Sequence, residues 1–119
     1  MAQIKYNLGD LNSNRYSTDE IKIGTWVDGK SIYRKVIFLN FNIPVSSTKS
    51  IRLSDFGINN IETPISCSFI SDDAGNIGIR HINTEVNFTR TVVNIIPSDG
   101  WSLGNGEHKL ILEYTKTTD

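Results

Sequence analysis

Two strand-like runs meet at an Asp28-Gly29 step, and this step constrains the fold more than any other feature of the chain. The segment from Tyr16 to Val36 reads YSTDEIKIGTWVDGKSIYRKV, with β-branched and aromatic residues on both sides of the step. A type I′ turn needs a positive φ at both central positions, which Asp followed by Gly supplies at little steric cost. The segment therefore predicts an antiparallel β-hairpin with a two-residue turn at Asp28 and Gly29.

The predicted turn also sets the pairing of residues across the hairpin. Trp26 is expected opposite Ser31, and Gly24 opposite Tyr33, whose ring would cover the bare glycine backbone. This pairing places a mainly apolar set on one face, which is expected to be buried: Ile21, Ile23, Thr25, Val27, Ile32 and Val36. The residues expected to define the hairpin are Gly24, Trp26, Asp28, Gly29 and Tyr33.

Short apolar runs separated by turn residues continue along the rest of the chain. Pro44 and Pro97 each end such a run, because proline has no amide hydrogen to donate to a strand ladder. Pro64 precedes an alternating set that is expected to face the core, namely Ile65, Cys67 and Phe69. The segments SDDAGN and SDGWSLGNGEHK are rich in glycine and polar residues and are predicted to be connections.

The fold class follows from these runs and from the residue usage. Isoleucine, asparagine, serine and threonine are frequent, whereas the helix-favouring residues alanine, leucine and methionine are sparse. We predict a single antiparallel β-sandwich or jelly-roll-like domain of seven or eight short strands over residues 16–119. An N-terminal arm or linker over residues 1–15 is expected to precede it.

Charge and composition argue against several classes of partner. The 12 basic and 13 acidic residues give a formal net charge of −1, so no basic field favours nucleic acid. No apolar run approaches the roughly 20 residues of a membrane span, and the start MAQIKYNLGD lacks the features of a signal peptide. Cys67 is the only cysteine, which excludes a disulfide within the chain. We expect synthesis in a cytoplasm without export.

Catalytic and metal-binding side chains show no productive spacing. His81 and His108 are the only histidines, and they do not form an HxxxH or HExxH pair. Asp72 and Asp73 are adjacent and are expected in a turn that lacks the oxygen-ligand pattern of an EF-hand loop. Cys67 lies in an apolar strand and is expected to be buried rather than nucleophilic. We predict no catalytic residue, no metal site and no cofactor.

Three segments of the sequence resemble the C-terminal domains of phage tail fibres and related virion proteins. They are YSTDE and GTWVDGKSIYRKV near the N-terminus and LEYTKTTD at the end of the chain. The resemblance is carried by Tyr16, Ser17, Thr18, Gly24, Trp26, Asp28, Gly29, Lys30, Tyr33 and Lys35, and more weakly by Tyr114, Thr115 and Lys116. No further motif is recognised between the two ends.

The resemblance implies a structural role in a virion fibre or spike, in a tail or a head. Such domains commonly assemble as homotrimers, contact other virion proteins and meet the host surface. A protein of this kind is made in the bacterial cytoplasm without a signal peptide and is released by lysis, which agrees with the lack of disulfides. Trimerisation and a virion location are therefore expectations that the resemblance implies.

The polar connection near the C-terminus is the candidate binding site for host polysaccharide. Glycan sites commonly offer an exposed aromatic ring for stacking, flanked by short polar side chains. Trp101 has Asp99, Asn105 and His108 close in sequence, and these four are the candidate glycan-binding residues. The alternative is that Trp101 closes the end of the sandwich or packs against a neighbouring subunit.

Two other functions remain open on the sequence. The first alternative to an attachment module is a purely structural decoration or connector that never contacts a receptor. A third interpretation, a small polysaccharide-degrading enzyme, needs a pair of acids in one cleft. Adjacent Asp72 and Asp73 would point to opposite faces of a strand and therefore do not supply that pair.

Overall fold

A computed structural model describes residues 13–43, 48–73, 76–79, 84–97 and 103–118. These ranges contain eight β-strands: β1 (Ile21–Thr25), β2 (Ser31–Ile43), β3 (Lys49–Arg52), β4 (Ile61–Asp73), β5 (Asn76–Ile79), β6 (Thr84–Phe88), β7 (Val92–Pro97) and β8 (Leu103–Lys116). A short 3₁₀ helix, Leu53–Phe56, is the only helical segment in them. No helix in this described part is long and apolar enough to cross a membrane.

The strands form two antiparallel sheets. One has five strands in the order β1-β2-β8-β4-β5, and the other has three in the order β3-β7-β6. The predicted all-β, antiparallel sandwich is therefore confirmed. The predicted boundary between an arm over residues 1–15 and the domain stays a prediction.

The core lies between the two sheets. Along β8, the buried residues alternate through Leu110, Leu112 and Tyr114, as expected when every second side chain of a strand faces inward. Facing them are Val93 and Ile95 of the three-stranded sheet. The remaining members of the core are Ile37, Leu39, Ile51, Leu53, Ile58, Ile61 and Phe69. Burial of each large side chain contributes about 1.5–3 kcal/mol to stability.

The predicted core set on β4 is only partly correct. Phe69 is fully buried, and Cys67 packs against the core. Ile65 is half-buried and does not belong to the core cluster. The pairing of β4 with β8 shifts register between Pro64 and Ser66, so Ile65 falls at an irregularity where the alternation of the strand is broken.

The predicted hairpin is present, but its turn differs from the type I′ prediction. Gly29 N–H donates to the Trp26 carbonyl at 2.9 Å, which places Val27 and Asp28 at the centre of the turn. Gly29 follows with φ 90°, whereas Asp28 has no positive φ. Trp26 N–H donates to the Lys30 carbonyl and closes a three-residue loop of the bulged kind. Asp28 Oδ1 accepts from Lys30 N–H and stabilises the turn.

This change of turn moves the predicted pairing. Gly24 pairs with Ile32 rather than with Tyr33, and Tyr33 pairs with Lys22. The expected cover of Gly24 by the Tyr33 ring is wrong, because no heavy atom lies within 4 Å of a Cβ built at Gly24. The expected buried face is only partly correct, since Val36 is buried whereas Val27 is 91% exposed. Tyr33 belongs to the partly buried residues that pack against the core.

Two predicted connections are shorter than the sequence suggests. Strand β8 begins at Leu103, so its pairing with β2 includes residues that were expected in a loop. Strand β4 continues to Asp73, which pairs with Asn76. Asp72 and Asp73 therefore end a strand rather than form a turn, and only two residues separate β4 from β5.

The register places several strand ends together at one end of the sandwich. Ile43 at the end of β2 pairs with Leu103 at the start of β8. On the other side of β8, Ile70 pairs with Lys109, and β4 runs on from there to Asp73 in the same direction. We call this the far end. The connections over residues 44–47, 74–75 and 98–102 join strand ends there.

Candidate functional site

The opposite end of the sandwich contains a hydrogen-bonded centre around Tyr114. Tyr114 has no solvent exposure, and its hydroxyl donates a 2.5 Å hydrogen bond to Glu20 Oε2. Lys116 forms an ion pair with the other oxygen of that carboxylate. Burial, followed by the hydrogen bond to Glu20, raises the pKa of Tyr114 above its ordinary value. Glu20 therefore links the segment before β1 to the last strand.

Two side chains of the hairpin also contact the last strand. The ring of Tyr33 stacks on Tyr114 with their centroids 6.4 Å apart, and Lys116 Nζ lies 4.5 Å from the Tyr33 centroid. Lys30 Nζ donates to the carbonyl oxygens of Lys116 and Thr117 at 3.4 and 3.3 Å. The hairpin turn is thus fastened to the C-terminal residues.

Arg34 makes a third set of contacts at this end. Its side chain is 9% exposed, and Nε and Nη2 both lie 2.8 Å from Glu113 Oε2. Nη1 donates to the carbonyl oxygens of Ser13 and Arg15 at 2.9 and 2.8 Å. The Tyr16 ring stacks on the guanidinium group, with 4.3 Å between the Arg34 Cζ and the ring centroid. One buried cation therefore holds residues 13–16 against the sheet.

These contacts connect the three segments that carry the resemblance. We call the following set the anchoring network: Glu20, Lys30, Tyr33, Arg34, Glu113, Tyr114 and Lys116. Its partners are up to 94 residues apart in sequence. These pairs were not predicted from the sequence, because no local periodicity relates residues so far apart. The resemblance, which groups the same segments, was the one available signal.

The outer face of the five-stranded sheet carries an apolar groove. Tyr16 and Phe38 are 62% and 49% exposed, although they are large aromatic residues. Val36 and Ile111 line the groove between them, and Lys109 Nζ lies 5.6 Å from the Phe38 ring centroid. The cavity measures about 340 Å³. We call it the outer groove, and its full lining is Tyr16, Ser17, Thr18, Val36, Phe38, Lys109 and Ile111.

The candidate glycan-binding residues do not form one described cluster. Trp101 and Asp99 lie outside the described residues. Asn105 lies within β8. His108 is fully buried, and its ring lies 5.6 Å from that of Phe69 by centroids. The imidazole of His108 is therefore inside the core and is not exposed to a surface glycan, so we remove His108 from the candidate set.

A sequence signal for the burial of His108 was present. His108 has the same parity as Leu110, Leu112 and Tyr114, the inward-facing residues of β8. The neighbouring asparagine and glycines favoured a loop, which hid the alternation. Pairing of His108 with Leu39 of β2 fixes its orientation toward the core.

Several titratable side chains of the described residues are held in structural contacts. Three carboxylates form ion pairs: Glu20 with Lys116, Glu62 with Lys30, and Glu113 with Arg34. Burial raises the pKa of Cys67 to about 12, which disfavours the nucleophilic thiolate at neutral pH. Within the described ranges, no group of three or more His, Cys, Asp or Glu side chains is placed to hold a metal ion. His81 lies outside those ranges.

Comparison with known proteins assigns no family to the chain. No protein-family model matches the chain, and searches of curated proteins and of solved structures found no match. Function must therefore be argued from the residues, from the anchoring network and outer groove, and from the resemblance of the three segments.

Proposed function

We propose that the chain is a noncatalytic module of a phage virion fibre, in the tail or the head. In this proposal the chain forms a homotrimer and contacts other virion proteins. The trimer contributes to attachment at host-surface polysaccharide. It is made in the bacterial cytoplasm and functions in the virion. Three weak sugar contacts on one trimer would bind by avidity, because the later contacts are effectively intramolecular.

The observation that most supports the proposal is the meeting of the three resembling segments in the anchoring network. Tyr114 and Lys116 of the last segment contact Glu20 and Tyr33 of the first two. Residues that act together in a fold are the ones that a structural family would share. The contacts among the segments support the proposal that the three matches belong to one arrangement.

The outer groove is the surface on which we place the contact with the other copies of the chain. Soluble monomers rarely expose contiguous apolar patches, and such patches commonly mark interaction sites. Phe38 and Tyr16 expose aromatic area next to Val36 and Ile111 of the same sheet face. Aromatic residues are enriched at the buried centres of such interfaces. A second copy of this chain would cover these rings.

The groove is tested by the variant Phe38→Ser. We expect it to lose the oligomer while keeping the β-sheet circular dichroism of the parent, because the Phe38 ring is half-exposed and contributes little to the core. The control is Val27→Ser, which removes a still more exposed apolar residue at the hairpin turn. Light scattering at micromolar concentration gives the mass of each variant. A Phe38→Ser protein with the oligomeric mass of the parent would exclude this face.

Attachment is tested separately by Trp101→Ala. This residue belongs to the connection over 98–102, which joins β7 to the far end of β8. We expect the variant to keep its oligomeric mass and to lose binding to host cells and to a glycan array. An array on which the parent protein binds nothing would contradict attachment to polysaccharide.

The alternative is a decoration or connector protein of the virion that has no receptor contact. It is favoured if Trp101→Ala destroys the oligomer, since the ring would then pack at a subunit contact. The strand ends that flank this connection, Pro97 and Leu103, lie opposite the anchoring network, and this leads us to prefer attachment. Incubation with host glycan distinguishes both functions from hydrolysis, because no shortening of the chains is expected.

A further inference from the structure

A polar cleft lies where the three-stranded sheet meets the loop after the 3₁₀ helix. Strand β3 contributes Arg52, the turn between β6 and β7 contributes Arg90, and the loop before β4 contributes Asn59 and Asn60. Buried Ile58 lies beneath them. The cavity measures about 570 Å³, within the range of about 300–1,000 Å³ that small-molecule sites occupy. We call it the arginine cleft.

The backbone around the arginine cleft is held by hydrogen bonds. Leu53 N–H donates to the Thr91 carbonyl at 3.0 Å, which joins the 3₁₀ helix to the β6–β7 turn. Asn60 has φ 60°, a conformation that few residues other than glycine adopt, and its carbonyl accepts from Thr117 N–H at 2.7 Å. Ile58 N–H donates to the Leu53 carbonyl. The polar side chains of the cleft are therefore presented on a fixed frame.

The cleft carries two cations and no acidic lining residue. Arg90 Nε donates to the Glu62 carbonyl at 2.8 Å, a contact that orients the guanidinium group and leaves its terminal nitrogens for a ligand. Arg52, which also lines the cleft, is exposed. The Glu62 carboxylate forms an ion pair with Lys30, and Asp55 lines a neighbouring hollow that shares Arg52. The lining residues of the cleft thus carry two positive charges and no negative one.

The hydrogen-bonding groups between the arginines are short and neutral. Hydroxyls come from Ser54 and Thr91, and amides come from Asn59 and Asn60. Ser50 Oγ, also in the lining, already donates to Asn94 Oδ1 at 2.7 Å. Hydroxyl and amide groups both donate and accept, which suits the hydroxyls of a sugar, whereas a guanidinium pair suits a carboxylate or a phosphate.

We propose that the arginine cleft binds a small saccharide that carries a carboxylate or a phosphate. The guanidinium groups of Arg52 and Arg90 hold the anion, and the amides of Asn59 and Asn60 bond the sugar hydroxyls. The site is formed by residues other than Trp101 and its neighbours, and it does not depend on the proposed fibre function. An anionic sugar that fails to bind here would leave that function untouched.

The test uses the full chain labelled with ¹⁵N and titrated with four probes at constant ionic strength. Galacturonic acid and glucose 6-phosphate carry the two anions, glucose is the neutral control, and inorganic phosphate is the anion without a sugar. We expect both acidic sugars to shift the amide signals of Asn59, Asn60 and Thr91, with much smaller effects of glucose. A response to only one acidic sugar identifies the anion that the site prefers.

Variants assign the binding to the arginines. Arg52→Gln is expected to lower the affinity for the acidic sugars by at least about tenfold, which is the scale of one lost charge-assisted hydrogen bond. Its thermal stability should not change. Lys22→Gln on β1 removes a charge outside the cleft and should leave the affinity unchanged. The proposal is overturned if neither acidic sugar shifts these amides, or if Arg52→Gln binds as the parent does. Equal affinity for inorganic phosphate and glucose 6-phosphate would overturn the part assigned to the sugar.

Discussion

The two ends of the sandwich use their residues differently. The end that contains the anchoring network joins the hairpin, the segment before β1 and the last strand through Glu20, Arg34 and Tyr114. The far end gathers the strand ends at Ile43 and Leu103, and connections leave the sheets there. Recognisable sequence concentrates at the first end, and the candidate glycan residue Trp101 belongs to a connection at the second.

The segments that carry the resemblance contact one another and so hold the domain together. Tyr33, Lys30 and Lys116 were recognised as a pattern, and each of them contacts another recognised segment. A surface that recognises a particular host is expected to vary, whereas contacts that fasten the domain together are constrained. The proposed division is therefore stability at one end and recognition at the other.

The strongest challenge to this division is to truncate one aromatic residue at each end. Tyr114→Ala removes a fully buried ring and the hydrogen bond to Glu20, so we expect the free energy of unfolding to fall by about 3–5 kcal/mol. Trp101→Ala should change it by less than about 1 kcal/mol if, as proposed, this side chain serves recognition rather than packing. Urea denaturation monitored by circular dichroism measures both. Equal losses would show that the two ends are not divided in this way.

A second substitution tests how residues 13–16 are held at the anchoring end. Arg34→Ala leaves the Glu113 carboxylate and two backbone carbonyls without their donor, so we expect a loss of about 2–3 kcal/mol in the free energy of unfolding. The carbonyl of Arg15 should then become accessible, and cleavage by trypsin after that residue should quicken. Lys22→Ala on β1 serves as the control. A variant as stable as this control would show that the ion pair is not structural.

The smallest expected effect is the response of the anchoring end to alkali. The folded-state pKa of Tyr114 lies above its ordinary value of 10.0, so the folded protein favours the protonated phenol. The contribution of this phenol to the free energy of unfolding is complete below pH 10. It is lost at higher pH, as the phenol ionises in the unfolded protein. Between pH 8 and pH 10.5 the free energy of unfolding should fall more for the parent than for Tyr114→Phe. We expect the difference between the two falls to be less than about 1 kcal/mol.

The alkaline measurement needs a correction for the thiol. The pKa of Cys67 rises from 9.0 to about 12 on burial, so its contribution is also lost as the pH rises, beginning near 9. Both proteins should therefore carry Cys67→Ala. Identical pH dependences of unfolding in this background would mean that Tyr114 does not hold its proton in the way the structure indicates.

Local sequence patterns were sufficient for the architecture. β-branched runs and turn residues predicted an antiparallel β-sandwich, and the inward alternation of Cys67 and Phe69 on β4 agrees with the structure. The position of the hairpin was also correct. Its turn was not, because Asp28-Gly29 fits both a two-residue I′ turn and the last part of a bulged three-residue loop. A shift of one residue exchanges the two faces of a strand.

Long-range pairing decided what the sequence left open. Tyr33 faces the core because it pairs with Tyr114, a residue 81 positions later in the chain. The residues from Leu103 to His108 form a strand because β2 extends alongside them, despite their low intrinsic strand preference. Such partners leave no mark in a short window of sequence. The same reason explains why the anchoring network and the arginine cleft were not predicted.

The native mass of the protein tests the central proposal most directly. Multi-angle light scattering at micromolar concentration should give three times the 13.3 kDa of one chain, because the aromatic rings of the outer groove are expected to be covered by neighbouring copies. The mass should persist on dilution into the low micromolar range. A stable species of 13.3 kDa would contradict assembly as a fibre module.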